Sequence, residues 1–262
     1  MTVSECSRAY IHADKRHYNS IDIWRMIRAA KQNKFIEEQA VVKIKRLLSV
    51  IILIVFIFLA AGASAHSVDE TVRLLKEGNA RFVAMKMQHP NLSASRREAV
   101  AAQGQKPFAA VLGCSDSRVP IEFIFDRGIG DIFVIRVAGN VAIGPAVIGS
   151  VEYAAEHLNV PVLVVMGHTG CGAGKAAISA APTDGGMRDI TAKMQISVDR
   201  VKSEHPELKG VALENAVIKA NVLQAKSDLL SASEELRELS GEGKLKIITA
   251  VYDIETGAVE WI

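Results

Sequence analysis

Phe108-Ala-Ala-Val-Leu-Gly-Cys114-Ser-Asp116-Ser-Arg118 passes within a few residues from uninterrupted apolar character to charge. The run follows Lys106-Pro107 and shows no alternation of polar and apolar side chains. A short apolar stretch without alternation, bounded by turn residues, predicts a strand buried on both faces. Both faces of such a strand need covering, so the stretch predicts an α/β domain in which helices flank a largely parallel sheet. Cys114 then sits at the C-terminal end of the strand, where α/β sheets place their ligands.

Ile132-Phe-Val-Ile-Arg-Val137 is predicted to be a second strand of the same doubly buried kind, and Val160-Pro-Val-Leu-Val-Val-Met166 a third that ends at Gly167-His168. Lys246-Ile-Ile-Thr-Ala-Val-Tyr252 is a late strand, separated from Val259-Glu-Trp-Ile262 by a Glu255-Thr-Gly257 turn. Between them the helical period recurs. Residues 67–86 predict a helix capped by Ser67, with Asp69 and Glu70 in its first turn and an interruption or kink near Gly78. Further helices are predicted at 93–103, 148–158, 174–181, 189–202 and, as one long proline-free stretch, 213–239. No internal repeat and no Pro-, Gly- or Ser-rich linker divides residues 66–262, which read as one domain.

Two clusters at strand ends carry chemistry: Gly-Cys114-Ser-Asp116-Ser-Arg118-Val-Pro120 and Gly-His168-Thr-Gly-Cys171-Gly-Ala-Gly174. Together they offer two thiols and an imidazole, a set that zinc accepts because a d10 ion asks only for a roughly tetrahedral arrangement of soft and borderline donors. Three protein ligands leave a fourth position open, the mark of a catalytic site. Asp116 can point toward the same ion, and Arg118 can hold its carboxylate by a bidentate pair, so Asp116 is a candidate switch at the fourth position. A disulfide between Cys114 and Cys171 would leave Asp116, Arg118 and His168 unexplained, and a Cys114–His168 nucleophile would leave Cys171 unexplained. The second cluster also imitates a phosphate loop, but Thr169 stands where the first glycine should be, and Ala176 replaces the metal-binding hydroxyl. Arg136, in an apolar strand, fits either a buried ion pair or a substrate contact. His66, His89, His157 and His205 have no ligand pattern around them and are expected at the surface.

The C-x-D-x-R and H-x-x-C elements, with Leu74-Leu-Lys-Glu-Gly-Asn-Ala-Arg-Phe82, Gly104-Gln-Lys-Pro107, Phe133-Val-Ile-Arg-Val-Ala-Gly-Asn140, Gly149-Ser-Val-Glu-Tyr153 and Tyr252-Asp-Ile-Glu-Thr-Gly257, make the chain resemble a β-class carbonic anhydrase over nearly all of residues 68–262. The resemblance implies Zn2+ held by Cys114, His168 and Cys171, reversible hydration of carbon dioxide to bicarbonate by zinc-bound hydroxide, and an orienting dyad of Asp116 and Arg118. In a closed state Asp116 would be the fourth ligand. It further implies a carbon dioxide pocket built from Gln105, Phe133 and Tyr153, partly across a subunit boundary, in a homodimer or dimer of dimers whose N-terminal helices pack on the partner subunit. The tryptophan that marks a bicarbonate-inhibited subtype has no counterpart, since Trp24 lies upstream and Trp261 at the C-terminus. Carbonyl sulfide or carbon disulfide hydrolysis on the same scaffold, and a non-catalytic zinc protein, are the alternatives.

The first 46 residues carry ten Lys/Arg against five Asp/Glu, and residues 47–65 carry no charge. Basic residues, an apolar core at 47–61 and Ala63-Ser-Ala65 predict a signal peptide cleaved after residue 65, with an uncleaved anchor as the alternative and Met26 as a candidate start. The mature chain is then expected in the periplasm or secreted, free of the membrane. Subtracting the leader from the 31 basic and 29 acidic side chains of the whole leaves 21 and 24, a net charge of −3, which gives a nucleic-acid partner no electrostatic support.

Overall fold

The computed structural model describes residues 21, 24–36, 39, 43–45, 47 and 66–262. The chain divides into two compact units, Met1–Ser64 and Ala65–Ile262. In the first, residues 24–36 are helical. Residues 48–65, which carry nearly all of the apolar core and the cleavage site of the expected signal peptide, lie outside the described residues. Among the described residues no helix is long and apolar enough to cross a membrane.

The second unit runs α1 (Val68–Val83), α2 (Ala94–Gln103), β1 (Ala109–Gly113), α3 (Ile121–Ile124), β2 (Ile132–Arg136), α4 (Gly144–Glu152), β3 (Val162–His168), α5 (Gly172–Ser179), α6 (Gly186–Glu204), α7 (Gly210–Ala232), α8 (Glu234–Gly241), β4 (Lys246–Tyr252) and β5 (Val259–Trp261). The sheet order is β2-β1-β3-β4-β5, parallel except for β5, which returns antiparallel on β4. The chain leaves β1 for β2 on one side, then crosses back to lay β3 on the other. β1 and β3 therefore flank the point where the strand order reverses, and a crevice opens there beyond their C-terminal ends. The strand reading thus holds for β1 and β3, every residue of which is buried.

Side chains alternate between two apolar layers, as a doubly covered sheet requires. Ala110, Leu112 and Leu163 face the layer that holds Val151 of α4, Val198 of α6 and Val217 and Leu229 of α7. Ala109, Val111 and Val164 face the opposite layer, with Leu75 of α1 and Ile121, Ile124 and Phe125 at α3. Cys114 continues the first alternation, and its sulfur enters the helix-rich layer together with Cys171.

Four expectations need correction. β2 is half-buried rather than doubly buried, because it is the sheet's edge strand. Helix α1 runs unbroken past Gly78: the glycine lies where a Cβ would overlap the Phe125 carbonyl oxygen, so it permits close packing of α1 and makes no kink. The stretch at 213–239 is two helices, because Ser233 leaves the helical conformation and accepts the Leu236 N–H as the cap of α8. The helix expected at 148–158 starts earlier, at α4 with Pro145 in its first turn, and finishes as a π-helical turn over Tyr153–His157. Ser67 and Ser93 cap α1 and α2 as the capping residues of those helices. Helix α1 buries Thr71, Leu75, Gly78 and Asn79 within its own chain, whereas α2 has no buried residue.

Candidate metal centre

Cys114, directly after β1, His168, the last residue of β3, and Cys171, the N-cap of α5, meet at the crevice. One donor atom from each lies within 4.8 Å of the others, and all three residues are buried. β1 and β3 are hydrogen-bonded neighbours with Gly113 opposite Met166, so the register alone brings the two clusters together. The short Thr169-Gly170 turn, with Gly170 at φ 65°, folds Cys171 back beside His168.

The imidazole is oriented for coordination. His168 Nδ1 lies 3.0 Å from the Thr169 carbonyl, which can only accept, so the proton resides on Nδ1 and the Nε2 lone pair is free. Nε2 is buried with no hydrogen-bond partner. A buried nitrogen lone pair without a donor is costly, and a cation between it and the two sulfurs removes that cost. Both cysteines are free thiols. The Cys114 thiol is pushed down by its hydrogen bond from Cys171, against the opposing effect of burial, with the Asp116 and Gly139 N–H groups adding to the lowering; the Cys171 thiol is pushed up because it faces that sulfur and is buried. A divalent ion between the two sulfurs would let both ionise, which is the behaviour of a soft-metal site. Two thiolates and a neutral imidazole therefore fit Zn2+.

Asp116 is turned away from this trio and onto Arg118. Its Oδ1 accepts the Arg118 N–H and Nε–H, both at 2.9 Å, and its Oδ2 accepts Nη2 at 2.7 Å. Oδ2 also lies 3.8 Å from His168 Nε2, which puts the carboxylate at the rim of the donor set. The Arg118 hydrogen bonds hold its carboxyl well below the usual carboxylate range, against the opposing effect of burial. Arg118 is itself tied to the second cluster through the Gly170 carbonyl at 3.2 Å. The dyad residues and the three donors are thus brought together.

Of the residues expected to form a carbon dioxide pocket, Phe133 on β2 and Tyr153 at the end of α4 are adjacent, with ring centroids 5.9 Å apart, and Tyr153 also faces His157 at 5.3 Å. Gln105 lies in the exposed connection between α2 and β1, and its side chain bonds to none of the described site residues. His66, His89, His157 and His205 are all exposed. Arg136 meets no carboxylate among the described residues; it donates to the carbonyls of Cys114 and Asp116.

Two further supports of the site have no counterpart in the motifs. The Gly139 N–H donates to Cys114 Sγ at 3.3 Å, and Asn221, buried on α7, donates to the Gly139 carbonyl at 2.9 Å. Gly139 has φ 70°, and a Cβ there would press on Met194. A backbone donor leaves no mark in a side-chain motif. Asn221 does leave one, as a polar residue among Val217, Ile218, Ala220 and Val222 on a buried helix face.

A family model described as carbonic anhydrase matches residues 109–259. Carbonic anhydrase 2 of Mycobacterium tuberculosis is 42% identical over 190 residues, covering 71% of this chain and 88% of that protein. The carbonic anhydrase of Mycolicibacterium smegmatis is 38% identical over 192 residues, 72% of this chain and 90% of its own. Among solved structures, a β-carbonic anhydrase described as tetrameric, from Sordaria macrospora, superposes with a TM-score of 0.60 at 25% identity, covering 64% of this chain and 87% of that one.

Proposed function

Because the chain belongs to the β-class carbonic anhydrase family, we propose that it is a lyase that reversibly hydrates carbon dioxide to bicarbonate, with Zn2+ held by Cys114, His168 and Cys171. The observation that carries the zinc reading is the partnerless, correctly tautomeric Nε2 of His168 facing two buried free thiols. Bound there, zinc supplies the Lewis acidity that makes water a nucleophile near neutral pH.

The chain's own residues do the rest. Arg118 keeps the Asp116 carboxylate ionised and directed, so that Oδ2, at the rim of the donor set, accepts a hydrogen bond from the attacking water and turns its lone pair toward the substrate. Phe133 and Tyr153 offer an aromatic wall suited to an apolar, linear substrate. Gln105 completes the pocket from a neighbouring subunit, in a homodimer or dimer of dimers. Support for an assembly comes from the unburied α2 and from Val83, Met85 and Leu92, large apolar side chains exposed between the end of α1 and the start of α2. Release of Asp116 from Arg118 would give the closed state, with the carboxylate in the fourth position.

Carbon dioxide hydration should be measured beside hydrolysis of carbonyl sulfide and carbon disulfide on the purified protein. Hydration that exceeds both hydrolyses supports the reading. Hydrolysis of either sulfur substrate with no hydration would assign the scaffold to the alternative chemistry, and no turnover of any of the three by zinc-replete protein would leave a non-catalytic zinc protein.

A further inference from the structure

Arg136 ends β2 with its guanidinium exposed, yet the group spans two backbone carbonyls of the metal-site loop: Nε donates to Cys114 O at 3.0 Å and Nη2 to Asp116 O at 2.6 Å. Its position in the fold explains the arrangement. The ladder between β1 and β2 ends with Gly113 opposite Arg136, and the flanking bonds Val137 N to Gly113 O and Ser115 N to Val137 O are its last backbone links. Beyond them the chain turns into the Cys114–Arg118 loop, and strand pairing no longer reaches its carbonyls. The planar fork of an arginine takes over, since its donors are fixed relative to one another and match two acceptors at once.

Those two carbonyls belong to the residues whose side chains matter most. The direction of a carbonyl fixes ψ of its own residue, and hence how the side chain on that Cα projects. Gly139 N–H, three residues beyond Arg136, reaches Cys114 Sγ itself, so the same segment grips both the backbone and the sulfur of this residue. The Asp116 carbonyl also accepts Val119 N–H within the turn, whereas Arg136 supplies the bond on Cys114 O.

We propose that Arg136 is a positioning residue of the metal centre: from the edge strand it fixes the backbone from which Cys114 Sγ and the Asp116 carboxylate project. The effect on turnover rests on the function proposed above; the effect on Cys114 is a property of the metal-free chain and stands apart from it. Arg136→Met keeps the aliphatic stem and removes every donor, while Arg136→Lys keeps the charge and can serve one carbonyl at a time.

Both variants are compared with wild type as full-length protein. In metal-free samples, alkylation of each thiol by iodoacetamide is followed by mass spectrometry; in zinc-loaded samples, kcat and KM for carbon dioxide are measured. In Arg136→Met, Cys114 should react about tenfold faster with Cys171 unchanged, and kcat should fall about tenfold at constant KM, the scale on which outer-shell partners of metal ligands act. Arg136→Lys should recover part of both effects, and if Arg136→Met does not fold, the Cys114 rate of Arg136→Lys decides the matter. Wild-type alkylation of Cys114 in the variants, or equal acceleration of both thiols, would overturn the proposal, the latter by showing a general loosening. A wild-type protein that does not hydrate carbon dioxide would refute the functional reading and leave the alkylation result to judge Arg136.

Discussion

At the residue scale, His168 and Asp116 show how hydrogen bonding assigns roles before any ligand is considered. The Thr169 carbonyl fixes the proton on His168 Nδ1 and thereby exposes a lone pair at Nε2 in a buried place. Arg118 does the converse for Asp116, since it occupies both carboxylate oxygens and keeps them from acting as a fourth donor. Arg118→Ala should therefore retain zinc, as all three donors remain, and lose about 100-fold in hydration rate; a zinc-replete variant with wild-type activity would remove the dyad from the account. The depressed Asp116 pKa sets how the Asp116–Arg118 pair contributes to stability as pH changes. The stabilisation from this pair is complete above the ordinary carboxylate range and is lost as pH falls through the lower, folded value. Hydration is expected to rise from mildly acidic to mildly alkaline pH because a bound Zn2+ would bring the ionisation of its water into that interval, where Asp116 is already ionised; a flat profile would contradict it. Cys114, His168, Cys171, Asp116 and Arg118 were legible in the sequence because their side-chain types carry the chemistry. Gly139 and Arg136 were not, because their roles depend on which strand lies beside β1 and in what register.

At the scale of elements, the parallel strands were legible as apolar runs, but the edge position of β2 and the junction between α7 and α8 were not. The first is a property of strand order, and the second hangs on one serine turning its hydroxyl to a backbone N–H. Gly78 illustrates the same limit: a glycine in a helix reads as weakness in sequence and acts as clearance in the fold, where α1 passes the Phe125 carbonyl. Gly78→Ala should destabilise the protein by about 3 kcal/mol, since neither backbone can withdraw easily; a denaturation midpoint equal to wild type would show that α1 can shift. Asp126, at the end of α3, is a second anchor. Its buried carboxylate accepts the Gln88 and His89 N–H groups and Arg81 Nε, at 2.6 Å for the arginine. Burial raises its pKa, and these hydrogen bonds together outweigh burial to leave it lowered. Asp126→Asn should cost about 2 kcal/mol at neutral pH, and the deficit should shrink as pH falls below the ordinary carboxylate range, where wild type loses the same charge. Urea unfolding of both proteins across that interval checks it; a deficit independent of pH would mean the charge does not matter.

At the scale of the whole molecule, the two units differ in kind. Residues 1–65 carry the positive charge, and residues 66–262 carry the sheet, the candidate metal centre and a net charge of −3. Export follows as a proposal from the apolar core at 47–61, and N-terminal sequencing of protein from an exporting host should give His66 as the first residue; retention of the leader with membrane attachment would favour the anchor. The sheet's reversal point between β1 and β3 unites the two motifs, which stand more than fifty residues apart in sequence, and that union is what the whole account depends on. Its most direct test is a zinc titration of metal-depleted protein with carbon dioxide hydration followed by stopped flow. No activity is expected without metal, with a linear rise to a break at one zinc per chain and no such recovery in Cys171→Ser. Activity that persists in the metal-free protein, or a full complement of zinc without hydration, would contradict it.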